Sequence, residues 1–261
     1  MNTKCVCLIC FTPNEIWFDF LSKFTKYDIY IMIDDNSKDY KEEYSNFRNI
    51  HVIQIKNEDC KNNGFVDMNF TIRKNITSWE KAIYYFSTIN TEYNYVWFFE
   101  DDVFFYHEQS LINIDSKYDN SDLLSKSYSE NISGDKKNWL WNTINIKFSP
   151  PYYNAMVCIV RISSQMLYKI RNYANEHKTL FFLEALFPTI CKKYNLQYDT
   201  PCQFKNIIYR KDYTDKDMDE NNLFHPIKDI NKHTYYREML YKMSNKSKDN
   251  NKYKIIQNNT K

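Results

Sequence analysis

Glycine is almost absent: the 261 residues contain 2, Gly64 and Gly134. That scarcity excludes a Walker-type cradle or any other glycine-rich phosphate loop. Long apolar runs are missing too. The first apolar stretch, residues 5–11, directly follows Met1-Asn2-Thr3-Lys4. It is too short for a signal-peptide core with its cleavage site, and far too short to cross a bilayer. No other run reaches the roughly 18 apolar residues that a transmembrane helix needs. The expectation is a cytoplasmic protein, in a compartment where disulfides are rare and seven cysteines stay free. An excess of one charge is also lacking, since 35 Lys and Arg against 33 Asp and Glu leave a formal +2. No basic face or run marks a nucleic-acid surface, so nucleic acid is not an expected partner.

What is present suits a globular α/β protein. Hydrophobic residues make up 43% and are spread along a chain long enough to bury a core. The 23 Tyr, with abundant Asn, Lys and Ile, read as codon bias from an AT-rich genome, so no aromatic is assigned to sugar stacking on its type alone. For the same reason the sequons at Asn69, Asn75, Asn131, Asn245 and Asn258 stand at chance level. Cys5, Cys7 and Cys10 do not form a zinc site: a strand turns the third to the opposite face, and no second close pair follows.

The first hundred residues alternate in the manner of β-α-β units. Residues 4–11, 27–33, 51–55 and 95–99 are apolar runs of strand length. Residues 13–24 carry a helical face of Ile16, Trp17, Phe20, Leu21 and Phe24. Thr77 or Ser78 caps a helix through Trp79, Ala82, Ile83 and Phe86. Apolar strands between amphipathic helices predict a mostly parallel sheet covered on both faces. The second half is less regular. It predicts strands at 122–127, 155–162 and 204–209, a polar loop at 129–138, a helix capped by Ser163 or Ser164, and helix over 179–194 broken near Pro188.

In an open parallel α/β sheet, ligands bind at the carboxyl ends of the strands. Two predicted strands end in acids there: Asp34-Asp35 after 27–33, and Glu100-Asp101-Asp102 after 95–99. The second cluster is sharper, because Val103-Phe104-Phe105 follows and leaves three carboxylates between apolar stretches. Half-buried adjacent carboxylates resist ionisation, and a hard divalent cation such as Mg²⁺ or Mn²⁺ removes that problem. A solvated acidic turn is the competing reading. For Asp34-Asp35 that reading is the stronger, since Asp-Asn-Ser is ordinary turn chemistry.

A buried strand ending in Glu-Asp-Asp, about a hundred residues into a β-α-β half, resembles the Asp-X-Asp motif of GT-A fold glycosyltransferases. Phe182-Leu183-Glu184-Ala185-Leu186-Phe187-Pro188-Thr189 resembles the acceptor-side helix that carries the acidic catalytic residue in that superfamily. Phe224-His225-Pro226-Ile227-Lys228 is similar to its C-terminal His-Pro-(Val/Ile)-Lys element. The resemblance runs from about residue 4 to 230, with the three motifs in the expected order.

The resemblance implies a GT-A, Rossmann-like fold that moves a sugar from a nucleotide-sugar donor, a UDP-sugar, to a hydroxyl of a glycan or other acceptor. It implies Asp102 and His225 as ligands of Mn²⁺ or Mg²⁺, Lys228 near the diphosphate, and Asp34 or Asp35 against ribose or base. Phe11 and Thr12, in the turn after the first strand, would line the base pocket. Glu100 stands where the family has Asp and would bind ribose, or the metal through water, with Asp101 as an alternative ligand. Glu184 would take the acceptor proton, and a base opposite the leaving group implies inversion. The bland alternatives are a core or capping role for His225 and a solvent-facing Glu184. Trp139 and Trp141, with Pro150-Pro151-Tyr152-Tyr153, read equally as an acceptor wall and as packing of a long loop. Lys81 and Arg73 read as solvated surface cations, with phosphate neutralisation as the alternative. One domain is expected over 1–243, nucleotide-binding to about 105 and acceptor-side beyond, before a flexible tail at 244–261. The same carboxylates would also serve a nucleotidyltransferase or similar phosphate enzyme, and a binding module with a degenerate site is the non-catalytic alternative.

Overall fold

The computed structural model describes residues 3–69 and 76–242. The apolar runs of the first half become β1 (Lys4–Cys10), β2 (Asp28–Ile33), β3 (Ile50–Gln54) and β4 (Tyr95–Glu100). Between them lie α1 (Glu15–Leu21), α2 (Tyr40–Glu43), α3 (Asn57–Asn62) and α4 (Ser78–Tyr84). The second half carries β5 (Leu123–Leu124), β6 (Tyr128–Asn131), β7 (Tyr152–Ala155), β8 (Ile159–Ser163), β9 (Tyr198–Asp199), β10 (Asn206–Ile207) and β11 (Phe224–His225). Its helices are α5 (Glu108–Lys117), α6 (Ser164–His177) and α7 (Leu183–Lys193), with α8 over 230–242.

Seven strands form the central sheet in the order β3-β2-β1-β4-β8-β5-β9. All pairings are parallel except those of β8, which runs antiparallel to β4 and β5. Alternation along β1 sends Cys5, Cys7 and Ile9 to one face, against Trp79 and Ile83 of α4, Leu167 of α6 and Leu186 of α7. Val6, Leu8 and Cys10 go to the other, against Trp17, Phe18 and Leu21 of α1 and Leu111 and Ile114 of α5. The mostly parallel sheet with helices on both faces is thus the architecture observed. Cys5, Cys7 and Cys10 are split between two cores, and burial pushes their thiols up, so they fill space as neutral groups. Among the described residues no helix is long and apolar enough to cross a membrane.

Local signals in the sequence set the starts of α4 and α6. Thr77 and Glu80 form a capping box at α4, and the Ser163 hydroxyl accepts from the Met166 amide at 3.1 Å to open α6. Several expectations need correction. Within the polar loop expected over 129–138, residues 129–131 belong to β6 and pair antiparallel with β7. The expected break near Pro188 is absent, and α7 runs through it. Pro188 has no N–H, so the Glu184 carbonyl lacks its usual ladder donor. Burial of every residue from Ala185 to Cys191 holds the helix together regardless. The run 155–162 is divided, because Met156, Val157 and Cys158 leave the strand to wall a pocket beside β4. The runs 122–127 and 204–209 shrink to two-residue strands. The expected tail at 244–261 lies outside the described residues.

Candidate active site

The turn that ends β4 is tied to three distant parts of the chain. The Glu100 amide donates to the Cys158 carbonyl at 2.9 Å, and the Trp17 indole donates to the Asp101 carbonyl at 3.0 Å. The Ile227 amide donates to the Asp102 carbonyl at 2.7 Å, while Phe104 and Phe224 exchange backbone hydrogen bonds at 2.8 and 2.9 Å. These links bring β11 against the turn. As a result one ligand atom each from Glu100, Asp102 and His225 lies within 4.8 Å of the others.

The electrostatics of this cluster call for a positive charge. His225 Nδ1 lies 2.9 Å from the Ile208 carbonyl and donates to it, which leaves Nε2 facing Asp102 Oδ1 at 3.3 Å. That contact is at ion-pair distance but off the hydrogen-bond line, and Oδ1 has no hydrogen-bond partner among the described residues. Burial pulls the His225 imidazolium down, but the Asp102 carboxylate outweighs it and holds the group above its ordinary value. Burial raises Glu100, against a hydrogen bond from the Trp79 indole at 2.8 Å, and Asp102 raises it further. Two carboxylates and an imidazole held by a carbonyl are a donor set that suits a divalent cation such as Mn²⁺, and the orphaned Oδ1 gives it a free lone pair. Asp101 is half-buried and contributes its main chain to the turn; its carboxylate stands outside the cluster.

The cluster opens into a pocket of about 260 Å³ whose wall also holds Asn69, Phe182, Glu184 and Lys228. Glu184 sits in the first turn of α7, where burial pushes its carboxyl up to about 7, opposed by the Val157 backbone N–H. A half-buried carboxyl poised near neutrality suits proton transfer.

A second pocket, about 700 Å³, lies at the carboxyl ends of β1 and β2, walled by Phe11, Asp34, Asp35, Asn36, Lys56 and Asn69 among others. Asn69 belongs to both walls, so the two cavities meet there. Phe11 is 67% exposed at the rim, whereas Thr12 beside it is exposed but outside the wall. Asp35 is occupied by its own turn, accepting from the Ser37 amide and hydroxyl at 2.8 Å and from the Tyr40 hydroxyl at 2.6 Å, the last holding its carboxyl low.

Lys81 is not a solvated surface cation. It is 1% exposed, and its Nζ reaches the Asp34 carboxylate at 2.5 Å and the Asp34 carbonyl at 2.8 Å. The core face of α4 carries it inward to a partner 47 residues away, which no local pattern announces. Arg73 lies outside the described residues. Trp141 is buried, while Trp139 is 38% exposed, in a left-handed backbone conformation, edge-on to Trp141 and 5.8 Å from Phe182. Asn69, Trp79 and Tyr209 enter the pocket without any sequence signal.

No protein-family model and no curated protein matches this chain. Among solved structures it is similar to the galactosyltransferase LgtC in complex with donor and acceptor sugar analogs, at 9% identity and TM-score 0.47, over 90% of this chain and 95% of that one. Mouse xyloside xylosyltransferase 1 in its apo form matches at 10% identity and TM-score 0.40, over 77% and 86%. The 4-diphosphocytidyl-2C-methyl-D-erythritol synthase of Anaerococcus prevotii matches at 11% and 0.44, over 76% and 87%.

Proposed function

We propose that this chain is a GT-A type glycosyltransferase that moves a sugar from a nucleotide-sugar donor to an acceptor hydroxyl, with Glu184 as the base. The observation that carries the reading is the convergence of Glu100, Asp102 and His225 at the end of β4, in one pocket with Glu184 and Lys228. A carboxylate trio alone would fit many phosphate enzymes. A separate, half-buried carboxyl with its pKa near 7 across the same pocket is what an acceptor hydroxyl requires.

Asp102, His225 and Glu100 would hold a divalent cation, Mn²⁺ before Mg²⁺ because one donor is an imidazole. Bound there, the ion supplies Lewis-acid stabilisation of the charge that builds on a departing nucleoside diphosphate. Lys228 adds a second positive charge on that side of the pocket. The larger cavity at the ends of β1 and β2 takes the nucleoside, a uridine in this reading, with Phe11 at its rim. Of the two acids there, Asp34 stands against the ribose, because its Oδ2 is left open among the described residues while both oxygens of Asp35 serve its own turn. Asn69, at the junction of the cavities, stands where donor phosphates and sugar would pass. Glu184 accepts the acceptor's proton as its oxygen attacks, and attack from the side opposite the leaving group gives inversion.

Thermal shifts of the full chain with UDP, GDP and CDP, each with and without Mn²⁺, test the donor half of the proposal. UDP with Mn²⁺ is expected to stabilise the protein, and an Asp102→Ala variant to lose the effect. Incubation with UDP-sugars should then release UDP in a Mn²⁺-dependent reaction. Release of pyrophosphate from a nucleoside triphosphate instead would make the chain a nucleotidyltransferase, and no shift with any nucleotide would make it a binding module.

A further inference from the structure

A third cavity, about 710 Å³, opens between residues 209–213 and the start of α8. Four cations stand in its wall, Arg210, Lys211, Lys228 and Lys232, against two acids, Asp212 and Asp229. Of the four, only Lys211 has an ion pair among the described residues, at 2.7 Å to Asp217. Asp229 is turned back on its own loop, accepting from the Asn231 backbone and side-chain amides at 3.0 and 3.3 Å. Asp212 makes no ion pair with any of these cations, so among the described residues Arg210, Lys228 and Lys232 stand in one wall without an ion-pair partner, and the cavity keeps an excess of positive charge.

The floor of the cavity is rigid. Tyr213 and Tyr236 are buried, and the Tyr236 hydroxyl donates to the Tyr213 carbonyl at 3.1 Å. The Tyr213 hydroxyl shares its hydrogen between the carbonyls of Asn206, at 2.5 Å, and His225, at 3.2 Å. At the rim, Tyr209 is 73% exposed with the Arg210 guanidinium 5.0 Å over its ring. Tyr209, Pro226 and Lys228 line both this cavity and the pocket of Glu100, Asp102 and Glu184.

We propose that this cavity is an anion subsite that takes the phosphate of a phosphorylated acceptor. A phosphate ester between Arg210 and Lys232, with Lys228 on the side shared with the donor pocket, meets these cations by charge-assisted hydrogen bonds, which a neutral glycan does not. The rest of the ligand runs past Tyr209 and Lys228 into the neighbouring pocket, bringing a hydroxyl toward Glu184. The acceptor role rests on the transferase reading; phosphate binding itself does not. Protein cations supply the charge, so binding needs no metal and weakens with salt. The phosphate ester belongs either to a soluble sugar phosphate or to a lipid headgroup.

The test titrates the full chain, in EDTA, with inorganic phosphate and inorganic pyrophosphate by calorimetry. Saturable binding is expected, at least about tenfold weaker in Arg210→Gln/Lys232→Gln and weaker as salt rises from about 0.1 to 0.5 M. Both positions are exposed, so the double variant should keep the wild-type melting temperature and its thermal shift with UDP and Mn²⁺. Flotation with phosphatidylcholine vesicles containing phosphatidic acid separates the sources: flotation lost in the variant assigns a lipid headgroup, and phosphate binding without flotation assigns a soluble ester. Absence of saturable binding by either anion, or binding untouched by the double substitution, overturns the subsite. Loss of the UDP and Mn²⁺ shift in wild type, with phosphate binding intact, would remove the transferase reading and leave the subsite standing.

Discussion

His225 presents Nε2 to Asp102 Oδ1 at 3.3 Å with its Nδ1 hydrogen already given to the Ile208 carbonyl. A neutral imidazole in that tautomer would set a lone pair against a carboxylate. The pair is therefore complete only with a proton on Nε2 or a cation between the two atoms, and these alternatives exclude each other. A metal ion bound at this cluster would displace that proton wherever His225 carries it, so its affinity would rise with pH.

That exclusivity gives the first prediction. At a Mn²⁺ concentration about a hundred times its dissociation constant, the wild-type chain should gain about 2.7 kcal/mol of stability. Asp102→Asn and His225→Gln should each gain nothing. The increment should be larger at pH 8 than at pH 6, because the raised groups, His225 and Glu100, must lose protons to bind the ion. Chemical denaturation with and without Mn²⁺ at both pH values decides it. An equal increment in the Asp102→Asn chain would show that the ion sits elsewhere.

Glu184→Gln separates catalysis from binding. If Glu184 is the base, the substitution should lower turnover about 10²- to 10⁴-fold while leaving the UDP and Mn²⁺ thermal shift intact. Wild-type turnover should rise with pH through about 7, where Glu184 becomes ionised. The stability effect has the opposite sign. The folded pKa lies above the unfolded value, so ionisation destabilises the fold progressively from about pH 4.5 to 7 and fully above it. Glu184→Gln should then be more stable than wild type at pH 8, by about 1 to 3 kcal/mol, and equal to it near pH 4. A variant that loses turnover and stability together at pH 8 would assign Glu184 a structural role.

Much of the first half of the fold could be read along the chain because β1, β2 and β4 are buried on both faces and α1 and α4 carry their own caps, whereas the short α2 and α3 went unread. Continuous apolar runs at β1, β2 and β4 and the Thr77–Glu80 box are local facts. The acids closing β4 were legible for the same reason. Their geometry was not, since it depends on Ile227 reaching the Asp102 carbonyl and on Ile208 orienting His225. Lys81 was misread because burial of a lysine follows from its partner, Asp34, and no helical pattern announces a partner 47 residues away. Pro188 misled through a local rule that the surrounding core overrides.

The Lys81–Asp34 pair sets a third prediction. Lys81→Met removes the cation but leaves the Asp34 carboxylate partly covered, at 17% side-chain exposure. The loss should be about 2 to 4 kcal/mol, below the full cost of orphaning a buried charge because Asp34 still reaches water. Lys81→Met/Asp34→Asn should recover at least about 1 kcal/mol of it, since no charge is left alone. Urea denaturation of the two single variants and the double variant gives the coupling directly. Additive losses would mean that the two side chains do not depend on each other.

His233 gives a pH dependence of the fold that is separate from the cluster. It is fully buried beneath Trp17 and Phe104, ring centroids 5.2 and 5.3 Å away, and Nε2 donates to the Ile227 carbonyl at 2.9 Å. Nδ1 has no hydrogen-bond partner among the described residues, and burial, aided by Arg237, depresses the imidazole to about 4. The unfolded chain takes up this proton near pH 6.5, well before the folded one can. Stability from the neutral ring is therefore full above about pH 6.5 and falls as pH drops toward 4, by at most about 1.4 kcal/mol per pH unit. His233→Gln keeps a donor for the Ile227 carbonyl but cannot titrate. It should cost about 1 to 2 kcal/mol at pH 8, through lost ring packing, and flatten the decline between pH 6.5 and 4. Because Ile227 also ties the Asp102 carbonyl, the wild-type chain should lose its Mn²⁺ increment no later than it loses this part of its fold. Denaturation midpoints from pH 4 to 8 for both chains measure the slope, and an unchanged slope in His233→Gln would move the titrating group to another residue.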